Sequence, residues 1–176
     1  MSLDLGKNRD DETVSIVRTT IRTSKSYEVL QRAFELELNR LDPSLVEGFL
    51  ERDASWSEIR SAIERVGNAW GLMILAKVDQ GLVTSRSGKV KRCCLYLVGN
   101  PVIANDILDI EPRGAFYVPF RVALVEVDAD EGAHLIYDRP SSFLGAFENP
   151  ELDQFGSMLD GKIDALATFL KDIIRD

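Results

Sequence analysis

The residues that could do chemistry are few and scattered. The chain holds one histidine, His134. A Ser-His-Asp or Cys-His arrangement needs a base beside a nucleophile, and no G-x-S-x-G elbow accompanies it. Cys93 and Cys94 are sequence neighbours. A strand points such neighbours to opposite faces, and a bond between them would be strained. They read as small buried residues of a protein in a reducing cytoplasm. The run Gly156-Ser-Met-Leu-Asp-Gly161-Lys162 matches G-x-x-x-x-G-K but continues with Ile163. It lies in a helical stripe with no strand before it, so it is not a phosphate loop. No metal or cofactor is expected from this inventory.

Two groups of polar residues remain. Arg86, Lys89, Lys91 and Arg92 form a basic stretch without an acid. It reads as a solvated connection or a local anion site, and no aromatic residue interleaves it as single-strand binding would require. The second group sits at strand ends: Asp79, Gln80, Tyr96, Asn100, Arg121 and Tyr137. Convergent polar groups of this kind line ligand pockets. Each one singly also reads as a cap, a turn or a satisfied edge residue.

The elements that must position these side chains follow from the pattern. Residues 14–23 are rich in β-branched types and predict strand one. Ser24 then caps a helix with Leu30, Ala33, Phe34, Leu38 and Leu41 on one face. Asp42-Pro43 opens a second, short helix, and Ser55-Trp-Ser-Glu58 is a capping box for a third. Strands follow at 71–78 and 92–98, joined by a polar connection over 80–90. Asn100-Pro101 opens a helix through Ile110. Strands at 120–127 and 133–137 flank a hairpin loop at 128–132. Asn149-Pro150 caps the last helix, whose stripe is Leu152, Phe155, Leu159, Ile163, Leu166, Leu170 and Ile173. The order β-α-α-α-β-β-α-β-β-α predicts an α+β fold, a mixed or antiparallel sheet of about five strands packed by helices.

Composition narrows the function classes. The chain has 176 residues, 45% of them hydrophobic, so one domain over 13–176 is expected behind a loose leader at 1–12. Acidic residues outnumber basic ones 29 to 21, a net charge of −8, which argues against a nucleic-acid partner held by phosphate neutralisation. No apolar run approaches a membrane span and residues 1–12 lack a signal-peptide core, so the location expected is cytoplasmic, with no membrane partner. The strands carry apolar residues on both faces: Phe120, Val122 and Leu124 against Ala123, Val125 and Val127, and Leu72, Ile74, Ala76 and Val78 against Met73 and Leu75. A sheet with one solvated face should alternate cleanly. A homodimer covering the second face is the expectation, with a small-molecule ligand as the other partner.

Four segments in order carry a family resemblance: MILAKVDQG at 73–81, YLVGNPVIA at 96–104, VPFRVALVEVD at 118–128 and LIYDRPSS at 135–142. Together with NPELDQFGSMLDGKIDAL at 149–166 and the SWSEIRSAIERV helix upstream, they resemble the domain of unknown function 302 family, in its bacterial branch. The resemblance implies an α+β sheet of about five strands, related to the TATA-binding-protein-like architecture, and dimers in some members. It implies no established activity, and a shared architecture is no argument for DNA binding. Members commonly carry Asp-His after strand two, where this chain has Asp79-Gln80. A glutamine cannot exchange a proton near neutral pH, so a binding or interaction role is expected over acid–base catalysis.

Overall fold

The structure, a computed structural model, describes residues 10–67, 69–88, 91–127 and 132–173. The strands are β1 (Arg18–Thr23), β2 (Met73–Asp79), β3 (Cys93–Gly99), β4 (Phe120–Glu126) and β5 (Ala133–Asp138). They form one sheet in the order β1-β5-β4-β3-β2, with every neighbouring pair antiparallel. The helices are α1 (Tyr27–Glu37), α2 (Pro43–Glu51), α3 (Trp56–Val66), α4 (Gln80–Thr84), α5 (Pro101–Ile110), α6 (Pro140–Leu144) and α7 (Pro150–Ile173). The fold is therefore α+β, with the element order read from the sequence and two short helices added.

Local chemistry sets the helix starts. Ser55 accepts from the Glu58 amide, Asp42 from Ser44 and Asn100 from Val102. Each satisfies an amide that the first turn leaves without a partner. Ser24 is not the cap of α1. Ser26 is, and Leu38 and Leu41 lie beyond the helix end, both buried. The chain there turns extended: the Ile74 amide donates to the Asn39 carbonyl at 2.9 Å, and the Leu41 amide to the Ile74 carbonyl at 2.9 Å. This segment covers part of the β2 edge, which a sheet otherwise leaves open for pairing.

One face of the sheet holds the main core. Cys94, Tyr96 and Val98, Phe120, Val122 and Leu124, and Ala133, Leu135 and Tyr137 pack against α1, α5, α6 and α7. A smaller cluster joins Phe49, Ile63, Met73 and Val102 at the β2 corner. The alternation expected for β2 is interrupted. The register shifts between Ile74 and Ala76, so Ile74 pairs with Val98 while Ala76 pairs with Leu97 and Val78 with Leu95. One extra residue in a strand moves everything beyond it to the other face. Leu72 and Ile74 therefore face the core, and Ala76 and Val78 face away from it.

Candidate functional site

The face turned away from the helices forms a regular grid, because antiparallel register aligns every second residue across the strands. Its middle row runs Thr20, Ile136, Ala123, Leu95, Val78 through all five strands. One flanking row is Arg22, His134, Val125, Cys93. The other brings Arg18 opposite Asp138 and Arg121 opposite Leu97, whose other neighbour is Ala76. Neither core cluster contains Leu95, Leu97, Ala123, Val125 or Ile136. Val78 is 49% exposed. The result is an uncharged stripe about 24 Å wide, at ~4.8 Å per strand, with charge confined to its margins.

Those margins are basic. Among the described residues Arg18, Arg22 and Arg121 stand against Asp138 there, an excess of two positive charges on a chain whose net charge is −8. Asp138 takes two hydrogen bonds from Arg18, at 2.6 and 3.1 Å. Arg121 reaches it only at 3.8 Å, beyond hydrogen-bond range. Beside Arg121 a groove of about 320 Å³, open to solvent, runs between Leu97, Pro119, Ile16 and Phe116. Phe116 is 86% exposed and meets Tyr117 edge-on at 5.3 Å.

The six residues singled out from the sequence are not brought together. Asp79 caps α4, accepting from the Leu82 amide at 2.9 Å, and Gln80 is the exposed first residue of that helix. Asn100 lies at the other end of the β2–β3 pair. It caps α5 and donates to the Gly71 carbonyl at 3.0 Å, holding the loop before β2. Six residues of strand, roughly 20 Å, separate it from Asp79. Tyr96 and Tyr137 face the core side, while Arg121 faces the open side.

Both tyrosines are buried, and their hydroxyls are locked into partly exposed polar clusters. The Tyr96 hydroxyl donates to Glu35 at 2.5 Å and accepts from Gln31 at 3.0 Å. Lys77 closes on the same Glu35 oxygen at 2.7 Å. Burial pushes the Glu35 carboxyl up, but its bonds to Lys77 and Tyr96 outweigh that and hold it below its ordinary range. The Tyr137 hydroxyl donates to Asp164 at 2.5 Å. Burial first, then the neighbouring carboxylate, raises both phenols well above their ordinary value. Such hydroxyls keep their protons and serve as donors, not bases.

The Tyr-Asp-Arg-Pro-Ser-Ser corner becomes a structural lock. Arg139 bonds Asp160 at 3.0 Å and Asp164 at 2.9 Å, and Ser141 gives Asp160 both its amide and its hydroxyl, at 3.1 and 2.6 Å. These bonds fasten α6 to α7. The G-x-x-x-x-G-K run also resolves as packing. Gly156 lies against the backbone of Ser141, and Lys162 donates to the Trp70 carbonyl at 3.2 Å. In the basic stretch, Arg92 is committed to Glu126 and Glu28 and lies over the Tyr27 ring. Lys89 lies outside the described residues. Among the described residues no group of His, Cys, Asp and Glu could hold a metal ion, and no helix is long and apolar enough to cross a membrane.

A five-stranded antiparallel sheet, helices over one face and a bare apolar stripe on the other define an open-faced α+β protein. The chain belongs to the family described as Domain of unknown function DUF302, whose profile matches residues 50–169. Among solved structures it is similar to an uncharacterized conserved DUF302 protein from Bacillus stearothermophilus, with a TM-score of 0.59 at 12% identity, over 86% of this chain and 95% of that one. At that identity the likeness concerns the fold. No curated protein matches the sequence.

Proposed function

We propose that the protein is a homodimeric, non-catalytic ligand-binding module of the cytoplasm, and that its open sheet face receives a second copy of the chain. The observation that carries this reading is the uncharged stripe Thr20, Ile136, Ala123, Leu95, Val78, which crosses every strand and, among the described residues, joins neither apolar core. Five strands of about six residues give a plan area of roughly 480 Å². The exposed apolar residues Ile16 and Phe116, which line the groove at its edge, extend it toward the ~800 Å² per partner of a stable interface. Binding rather than catalysis is supported by the polar clusters, whose carboxylates and phenols are tied to one another. The two free cysteines suit a reducing compartment.

Light scattering tests the dimer. The expected mass is twice 19.7 kDa. Leu95→Asp places a charge at the centre of the stripe and should give a monomer with unchanged helix content. Like charges on the two margins repel across such an interface, so raising salt from about 50 to about 500 mM should tighten it. A monomer in both salts at micromolar concentration would refute the reading. The arginine excess favours one alternative, an interaction domain that takes an acidic protein partner, whose binding salt would weaken.

A further inference from the structure

We infer that the groove beside Arg121 is a binding site for a small aromatic carboxylate. The inference rests on the open face being a binding surface, and not on its pairing two copies. Arg121 is the one of the two arginines around Asp138 that makes no hydrogen bond there, while Arg18 bonds both carboxylate oxygens. Its side chain is 68% exposed and lines the groove together with Asp138. A guanidinium offers two parallel N–H donors whose spacing matches a carboxylate. The local balance of two arginines against one aspartate leaves one positive charge for an anion to neutralise.

The remaining walls choose the rest of the ligand. Leu97, Pro119 and Ile16 form an apolar floor and side. Phe116 stands at the edge with one face of its ring unpartnered. Its only ring contact among the described residues is the edge-on approach to Tyr117, which itself stacks on Phe143 at 5.0 Å. An aromatic ring in the groove would extend this row by offset stacking or an edge contact, the arrangements aromatic pairs prefer. The groove volume of about 320 Å³ lies at the lower end of the range of small-molecule sites, about 300–1,000 Å³. A bare inorganic anion would leave the apolar walls unused, and a neutral aromatic would leave Arg121 without a hydrogen-bonded anion.

The test is calorimetric titration of the full chain with 2-naphthoate, with 2-naphthalenemethanol and with inorganic phosphate. Saturable binding of naphthoate is expected, with the alcohol and phosphate each about tenfold weaker or more. Arg121→Gln should weaken naphthoate about tenfold and leave the alcohol unchanged, whereas Phe116→Ala should weaken both. Both residues are exposed, so equal urea midpoints for the variants and the parent verify folding. Equal naphthoate affinity for the parent and Arg121→Gln would overturn the assignment, as would no saturation at millimolar naphthoate. Light scattering runs alongside. Conversion of a dimer to a monomer by Phe116→Ala, with the affinity for naphthoate unchanged, would assign the ring to the contact between copies alone and also overturn the site. A monomeric parent that binds naphthoate would sink the dimer and leave this site standing.

Discussion

Raising the pH should unfold this protein through its buried phenols. Tyr27, Tyr96 and Tyr137 are all buried on the helix side of the sheet. Burial is the main cause that raises each of them above the ordinary tyrosine value near 10. In the unfolded chain the same groups lose their protons near pH 10, while the folded chain still holds them. Their contribution is therefore complete below pH 10 and is lost as pH rises above it. Each retained proton costs about 1.4 kcal/mol per pH unit, or about 4 kcal/mol per unit for the three together. Against a stability of about 5–15 kcal/mol, that unfolds the chain within a few pH units. Tyr137→Phe isolates one phenol. It removes the bond to Asp164, at about 1–2 kcal/mol near neutral pH because Arg139 still holds that carboxylate. It should also lower the alkaline slope by about 1.4 kcal/mol per pH unit. Urea unfolding followed by circular dichroism, in steps from about pH 9.5 to 11, gives both numbers. A variant whose stability runs parallel to the parent across that range would refute the reasoning.

Two further predictions concern the α6–α7 junction. A Cβ on Gly156 would lie 2.7 Å from the Ser141 Cα, so Gly156→Ala should push the two helices apart and cost about 1–3 kcal/mol in urea unfolding, with Gly161→Ala as the harmless control. Asp160 is 7% exposed and accepts three bonds from Arg139 and Ser141. Arg139 keeps Asp164, so Asp160→Ala should cost about 1–3 kcal/mol through the Ser141 donors left unpaired, and no measurable shift in the same assay would show that the corner is not held this way.

The fold was legible where local chemistry decides it. Asp42, Ser55, Asn100 and Asn149 each cap the helix that the sequence assigns to them. The apolar stripe of α7 is the buried one, with Leu152, Leu159, Ile163, Leu166 and Leu170 all in the core. Elements that depend on distant contacts were less legible. The slip at Leu75 is a tertiary event with no turn residue to announce it. Helix α6 has five residues and owes its position to Asp160, nineteen places along the chain. The polar strand-end residues looked like one site because sequence order shows that they end strands but not which end or face they share. Arg121 reached the open face with Leu97 beside it, and nothing in the sequence marked Phe116 as its neighbour. An exposed aromatic in a short turn has no periodicity to reveal it.

The family profile begins at residue 50, yet β1 and α1 precede it. A fragment cut to that profile would strip β5 of its outer neighbour over the registers from Arg18–Asp138 to Thr23–Ala133. It would also remove Tyr27, Leu30, Phe34 and Leu38 from above the sheet. The fragment would carry a raw, sticky strand edge beside an unroofed core. For this protein the shared family segment is shorter than the piece that folds, and the stretch from Arg18 to Phe49 is part of the building rather than its porch.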